Sequence, residues 1–151
     1  MKTYNQIVAT LQTIADDHLQ LQSFQSGPLD KVDIGKLDQR SYPFLYCELL
    51  DAEIDHGTLT YGVELFVADM ILPDLSDRNE VYSDTLQMLH DVIEKFIQSQ
   101  ATDGAGSDFK ITLPINATSF TVRFDNELTG WSARIDIEVS NTNNLCIAPF
   151  S

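Results

Sequence analysis

From Phe120 to Val139 apolar and polar residues alternate twice, on either side of a polar break. Phe120, Val122 and Phe124 alternate with Thr121, Arg123 and Asp125. Beyond the break, Trp131, Ala133, Ile135, Ile137 and Val139 alternate with Ser132, Arg134, Asp136 and Glu138. A period of two over this length predicts strands with one wet side. Residues Asn126 to Gly130 predict the turn of a hairpin with a longer loop. The apolar positions are expected to form one aromatic and aliphatic wall, and the wet side offers Arg/Asp and Arg/Glu cross-strand neighbours.

A second hairpin is predicted from Phe44–Ile54 and Thr58–Met70, joined across Asp55-His56-Gly57. In its second arm Leu59, Tyr61, Val63, Leu65 and Val67 share a face, with Thr60, Gly62, Glu64, Phe66 and Ala68 on the other. Both faces are apolar from Leu65 onward. This predicts a central strand covered on both sides, or one side that meets another subunit. Shorter strands are expected around Leu21–Gln25 and Lys31–Ile34. Pro43 biases Tyr42 to an extended conformation ahead of its strand. Residues 109–117 extend the strand that follows them, with Pro114 at an edge or a bulge.

Two stretches change period. Between residues 3 and 19, Tyr4, Ile7, Val8, Leu11, Ile14, Ala15 and His18 or Leu19 recur at helical spacing. Thr3 and Gln6 have the spacing of a capping box. Between about Asn79 and Ser99 the stripe is Tyr82, Leu86, Leu89, Ile93, Phe96 and Ile97. Asp77 and Glu80 place negative charge at the start of that helix. The stretch from Thr102 to Asp108 has the composition of a flexible loop. The order helix, hairpin, helix, hairpin predicts an α+β fold: an antiparallel sheet of two hairpins with two helices on one face. With 151 residues and no linker or repeat, residues 1–151 are read as a single domain ending in a short tail, 140–151.

Composition adds one strong feature. Asp and Glu total 23 against 9 Lys and Arg, a net charge of −14. No window clusters basic residues, which counts against a nucleic-acid reader. An acidic wall is nevertheless compatible with surrounding DNA without gripping it; the plainer reading of the charge is solubility. There is no apolar run of bilayer length. Met1-Lys-Thr-Tyr-Asn-Gln lacks the regions of an export signal, so a cytosol-like compartment is expected and no membrane partner. Cys47 and Cys146 are too few to form a framework, and Cys47, between Leu45 and Leu49, reads as a small hydrophobe.

Catalytic signatures are missing. His18, His56 and His90 have no metal-ligand spacing. There is no nucleophile elbow, P-loop or dinucleotide fingerprint. Asp74, Asp77, Asn79 and Glu80 lack the central glycine of a calcium loop and read as a capped helix entrance. Asp16 and Asp17 read as a solvated helix end, and Trp131 as a core residue. No catalytic, cofactor-binding or metal residue is assigned, and no cofactor is expected. The tail segment Leu145-Cys-Ile-Ala-Pro-Phe150 is apolar after a polar spacer. It either folds back on its own sheet or docks on a neighbouring subunit.

The segment Phe124-Asp-Asn-Glu-Leu-Thr-Gly-Trp131, followed by Ile135-Asp-Ile-Glu-Val139 and Asn-Asn-Leu-Cys146, resembles a signature of small structural proteins of tailed bacteriophages. Thr3-Tyr-Asn-Gln-Ile7, Tyr42-Pro43, Asp69 before a loop and Asp84-Thr-Leu-Gln87 resemble the same group; residues 24–40 match it poorly. The resemblance is to tail terminators and tail-completion proteins. It implies a non-enzymatic virion protein of the neck or head–tail connector, made in the host cytoplasm. It also implies a homo-oligomeric ring around the DNA path, through which DNA passes without specific binding. Neighbouring neck, connector or tail proteins would be its partners. Leu145, Ile147 and Phe150 are the candidate subunit-interface residues, and sheet edges the other candidate contact. The competing readings are a monomeric adaptor or assembly chaperone, and a small carboxylate-dependent hydrolase.

Overall fold

The computed structural model describes residues 3–27, 42–70, 76–102, 109–123 and 127–140. The expected strand Lys31–Ile34, the glycine loop at 104–106 and the apolar tail lie outside these. Helix α1 spans Tyr4–Asp17 and is opened by the expected capping box: Gln6 N–H donates to Thr3 Oγ1 at 3.3 Å, and Thr3 N–H to Gln6 Oε1 at 2.8 Å. These two bonds satisfy donors that a helix start leaves open. Ile7, Leu11, Ile14 and Ala15 are its buried stripe. The helix ends at Asp17 because His18 is extended, so Leu19 does not join the stripe and stands 96% exposed.

Strand β1, Ser23–Ser26, is followed by β2, Phe44–Asp55, and β3, Thr58–Met70. The β2–β3 hairpin turns at His56-Gly57, where Gly57 has φ +84°, a conformation glycine adopts without a Cβ penalty. Helix α2 is Arg78–Thr102. Then come β4, Phe109–Ile111, β5, Ala117–Arg123, and β6, Glu127–Ser140. The sheet order is β1-β2-β3-β6-β4, with β5 also on β6. The architecture is therefore α+β, as expected, with more strands than two hairpins. β1 runs parallel to β2, pairing Ser23–Ser26 with Phe44–Cys47. β4 and β5 are two pieces of one edge on β6: Ile111 faces Ile137 and Ala117 faces Ala133. Six steps oppose four there, so two extra residues loop out around Pro114.

Both helices cover the same side of the sheet. There Ile7, Leu11, Val63, Leu65, Leu89, Val92, Phe96, Ile135 and Ile137 form one core. The buried stripe of α2 is Val81, Thr85, Met88, Leu89, Val92 and Phe96. This is rotated from the expected one: Leu86 is exposed, and Tyr82, Ile93 and Ile97 are only half-buried. The helix has apolar residues on an arc wider than it needs. Leu86, Ile93 and Ile97 line a shallow groove with Leu113 and Ile115.

The single dry wall expected along the last hairpin is corrected to two. Gly130 is not in the turn: it lies within β6, opposite Ala68 on one side and Phe120 on the other. With Gly130 as its partner, Phe120 falls on the side away from the helices, whereas Trp131 faces them. Phe120 stacks edge-on with Phe66, ring centroids 6.0 Å apart, and Phe66 with Tyr46 at 6.2 Å. Tyr42, Phe44, Tyr46, Ala68 and Leu128 complete this second, smaller cluster. One row across the sheet reads Phe44, Ala68, Gly130, Phe120, large residues at the ends and small ones between. Apolar coverage on both sides of β3 beyond Leu65 agrees with the sequence reading. Trp131 has a core role, its indole N–H donating to the Tyr82 carbonyl at 2.9 Å.

A Cβ on Gly130 would collide with the Val67 carbonyl and lie 2.8 Å from Ala68 Cα, both main-chain atoms of the neighbouring strand. Gly130→Ala must therefore spread β3 from β6. The expected cost is about 1–3 kcal/mol, read as a lower urea midpoint at unchanged slope.

Candidate functional site

In the half of the sheet nearest the β2–β3 turn, β6 is buried on the helix side, and among the described residues nothing covers the other side. Here β2 carries one extra residue, Leu50: Leu49 faces Val63, and Asp51 faces Gly62. The bulge resets which side chains point outward. Asp51, Glu53 and Asp55 share the bare side, while Ala52 and Ile54 stay level with Tyr61 and Leu59 on the helix side. Glu64 on β3 and Asp136 and Glu138 on β6 fall on the same bare side. The result is a polar cleft of about 530 Å3 lined by Asp51, Glu53, Thr60, Thr112, Arg134, Asp136 and Glu138 among others.

Arg134 is the cation that lines this cleft. Its Nη2 donates to both Asp51 oxygens, at 3.0 and 3.1 Å, and its Nε to Asp136 Oδ1 at 3.3 Å. The hydrogen bonds to Asp51 and then Asp136 push its pKa up from the ordinary guanidinium value. The pair fits because Gly62 lies beneath it. A side chain at 62 would run into Asp51 Oδ1 and approach Arg134 Nη2 to 2.6 Å. Arg134 is thus occupied internally, and the outward charge left on this side is negative.

Among the described residues both edges of the sheet are open in this half. β1 pairs with β2 only as far as Cys47, and is followed by Gly27 at φ +128°. From Leu49 to Asp55 every β2 residue is exposed, including Leu49, Leu50 and Ile54, the last at 81%. Among the described residues no strand pairs with this part of β2, nor with the outer side of β4. An edge of that length is a template for another strand unless something blunts it.

A second cavity of about 530 Å3, lined by Asp17, His18, Asp91 and Lys95 among others, lies between the helices; no group of three His, Cys, Asp or Glu side chains among the described residues is placed to hold a metal ion. His56 sits in the β2–β3 turn, its N–H donating to Asp55 Oδ1 at 2.7 Å. His90 is exposed, 3.9 Å from Glu94. His18 links the helices: Nε2 lies 3.1 Å from Asp91 Oδ2, and Nδ1 accepts the Gln20 N–H at 3.2 Å. That second bond leaves the ring proton on Nε2, donated to Asp91. Cys47 is fully buried. Burial pushes its thiol up to about 11, against a smaller lowering by a hydrogen bond with Tyr4. The small-hydrophobe reading of Cys47 fits this environment. No helix among the described residues is long and apolar enough to cross a membrane.

Asp69, next to Thr129 at the other end of β3, is half-buried. Burial raises its carboxyl pKa, the Met70 N–H draws it partly back, and Asp84 and Asp77 raise it further. Sequence reading had singled out Asp69 only as a residue before a loop.

Leu145, Ile147 and Phe150 lie outside the described residues. The sequence reading named sheet edges as a contact without saying which; it missed the bare acidic half-face. A signal was present in the run Glu48-Leu-Leu-Asp-Ala-Glu-Ile-Asp55, whose alternation slips at Leu50. In comparison with known proteins, no family model and no curated protein matches this chain.

Two outcomes follow from these environments. In a Cys146→Ser background, a thiolate-directed reagent at pH 8 is expected to label native Cys47 about 100-fold or more slowly than the urea-unfolded chain. Equal rates would mean an accessible, ionised thiol. Asp69 has a raised folded pKa, so the folded state takes up its proton more readily than the unfolded state. Its ionised form costs stability at neutral pH, and that cost vanishes below the ordinary carboxylate range. Asp69→Asn, which keeps an acceptor for Met70, is expected to raise Tm at pH 7. The gain should shrink as pH falls through the carboxylate range; a pH-independent change would contradict it.

Proposed function

We propose that this chain is a non-enzymatic structural protein of a tailed bacteriophage. In this reading it is the subunit of a homo-oligomeric ring in the neck, similar in role to tail terminators. The observation that carries the reading is that, among the described residues, one sheet has two open edges, helices on one side and a bare acidic half-face on the other. Open edges suit repeated addition of the same subunit, and a rotation at each joint closes such a head-to-tail series into a ring. The bare face, with Asp51, Glu53, Glu64, Asp136 and Glu138 outward, suits a wall that duplex DNA passes without adhering. Like charges repel, and the neighbouring Arg134 is already neutralised. The product of such a protein is shape. It needs no cofactor, works in the virion after synthesis in the host cytoplasm, and presents its rims to the connector and tail proteins above and below.

The apolar tail gives the ring a second contact, with Leu145, Ile147 and Phe150 seated on a neighbouring subunit. The purified chain is expected to give a single oligomeric mass by light scattering and closed rings by negative-stain microscopy. A monomer at high concentration would sink the proposal in favour of an adaptor or chaperone. Changing Leu145, Ile147 and Phe150 together to Ser is expected to weaken self-association while leaving the circular dichroism spectrum unchanged. An unaltered oligomer mass would remove the tail from the interface.

A further inference from the structure

The cross-strand pairings arrange the bare side into rows that run from edge to edge. One row reads Glu53 on β2, Thr60 on β3, Glu138 on β6 and Lys110 on β4. The next row, on the helix side, reads Ala52, Tyr61, Ile137 and Ile111. A row that leaves the sheet on one edge as a cation therefore enters it on the other edge as a carboxylate. Each strand from β2 through β3 and β6 to β4 is antiparallel to the one before, so β2 and β4 run in opposite directions.

We infer that the β4 edge of one copy joins the open β2 edge of the next as an antiparallel continuation of the sheet, with Lys110 beside Glu53. This rests on the assembly reading above and names the contact that would build it. Extending the rows in register sets Lys110 next to Glu53 on the bare side and Ile111 next to Ala52 on the helix side. Exposed Ile54 lies one pairing farther toward the turn and is covered by the added chain. The length matches as well, because β4 needs only three residues of partner strand and β2 offers seven, Leu49–Asp55.

Charge selects a second copy as the occupant. A chain at −14 repels itself, so a self-contact must spend one of its few cations. Arg134 is held by Asp51 and Asp136, whereas Lys110 is exposed, stands on an open edge and makes no ion pair with any described residue. Glu53 is likewise exposed and without an ion pair among them.

The experiment is charge reversal in the full chain, with self-association followed by sedimentation and light scattering. Lys110→Glu and Glu53→Lys are each expected to weaken association at least about tenfold, because each sets like charges side by side at every joint. The double variant is expected to recover wild-type association. Both positions are exposed, so each variant should keep the wild-type melting curve. If Lys110→Glu nevertheless unfolds, Glu53→Lys alone reads the same joint. A wild-type oligomer that tolerates both single reversals, or a double variant that stays dissociated, overturns the edge-to-edge joint and leaves the ring reading standing. A monomeric wild-type chain overturns both.

Discussion

Strand β6 is the constraint on which the rest of the structure depends. It pairs with β3 along its length, from Met70 opposite Leu128 to Thr58 opposite Ser140. Its other edge holds β5 and then β4. Because side chains alternate strictly along a strand, one register on β6 decides the facing of three other strands at once. Val139, Ile137, Ile135 and Ala133 are buried against the helices, so Glu138, Asp136 and Arg134 are forced onto the bare side. The close approach at Gly130, where the Val67 backbone leaves no room for a Cβ, helps to hold that register.

Two local irregularities turn this regular ladder into a surface. Continued through Leu50 without a bulge, the alternation from Phe44 would put Ala52 and Ile54 on the bare side and aim Asp51 and Glu53 at the helix side. The extra residue therefore sorts β2 into an apolar and an acidic side. Gly62 does complementary work by leaving space for Arg134 to bridge Asp51 and Asp136. At the opposite end of the same side, Phe66, Tyr46 and Phe120 pack edge to face into the smaller cluster. One sheet side is thus dry at one end and charged at the other.

Much of the fold was legible because its elements carry unmixed periods. The capping box at Thr3 and Gln6, the turn at His56-Gly57 and the alternation of β3 and β6 are local properties, decided by residues a few positions apart. The α2 stripe was legible as helical but misplaced around the axis. Apolar residues cover a broad arc of that helix, and only packing on β3 and β6 selects Val81, Thr85, Met88 and Val92 over Leu86. The break in alternation at Asn126 to Gly130 read as a turn, whereas strand pairing makes Gly130 part of β6.

The sequence by itself determined the α+β class, the positions of both helices, the long hairpin and the excess of negative charge, because propensity, period and composition are written residue by residue. Only the tertiary structure decided that Phe120 and Trp131 face opposite ways, that Asp51 meets Arg134, and that Glu53 and Lys110 end one common row. Those facts depend on register between strands far apart in the chain. Register is set by what the neighbouring backbone will admit, such as the missing side chains at Gly62 and Gly130, and no single stretch contains that information.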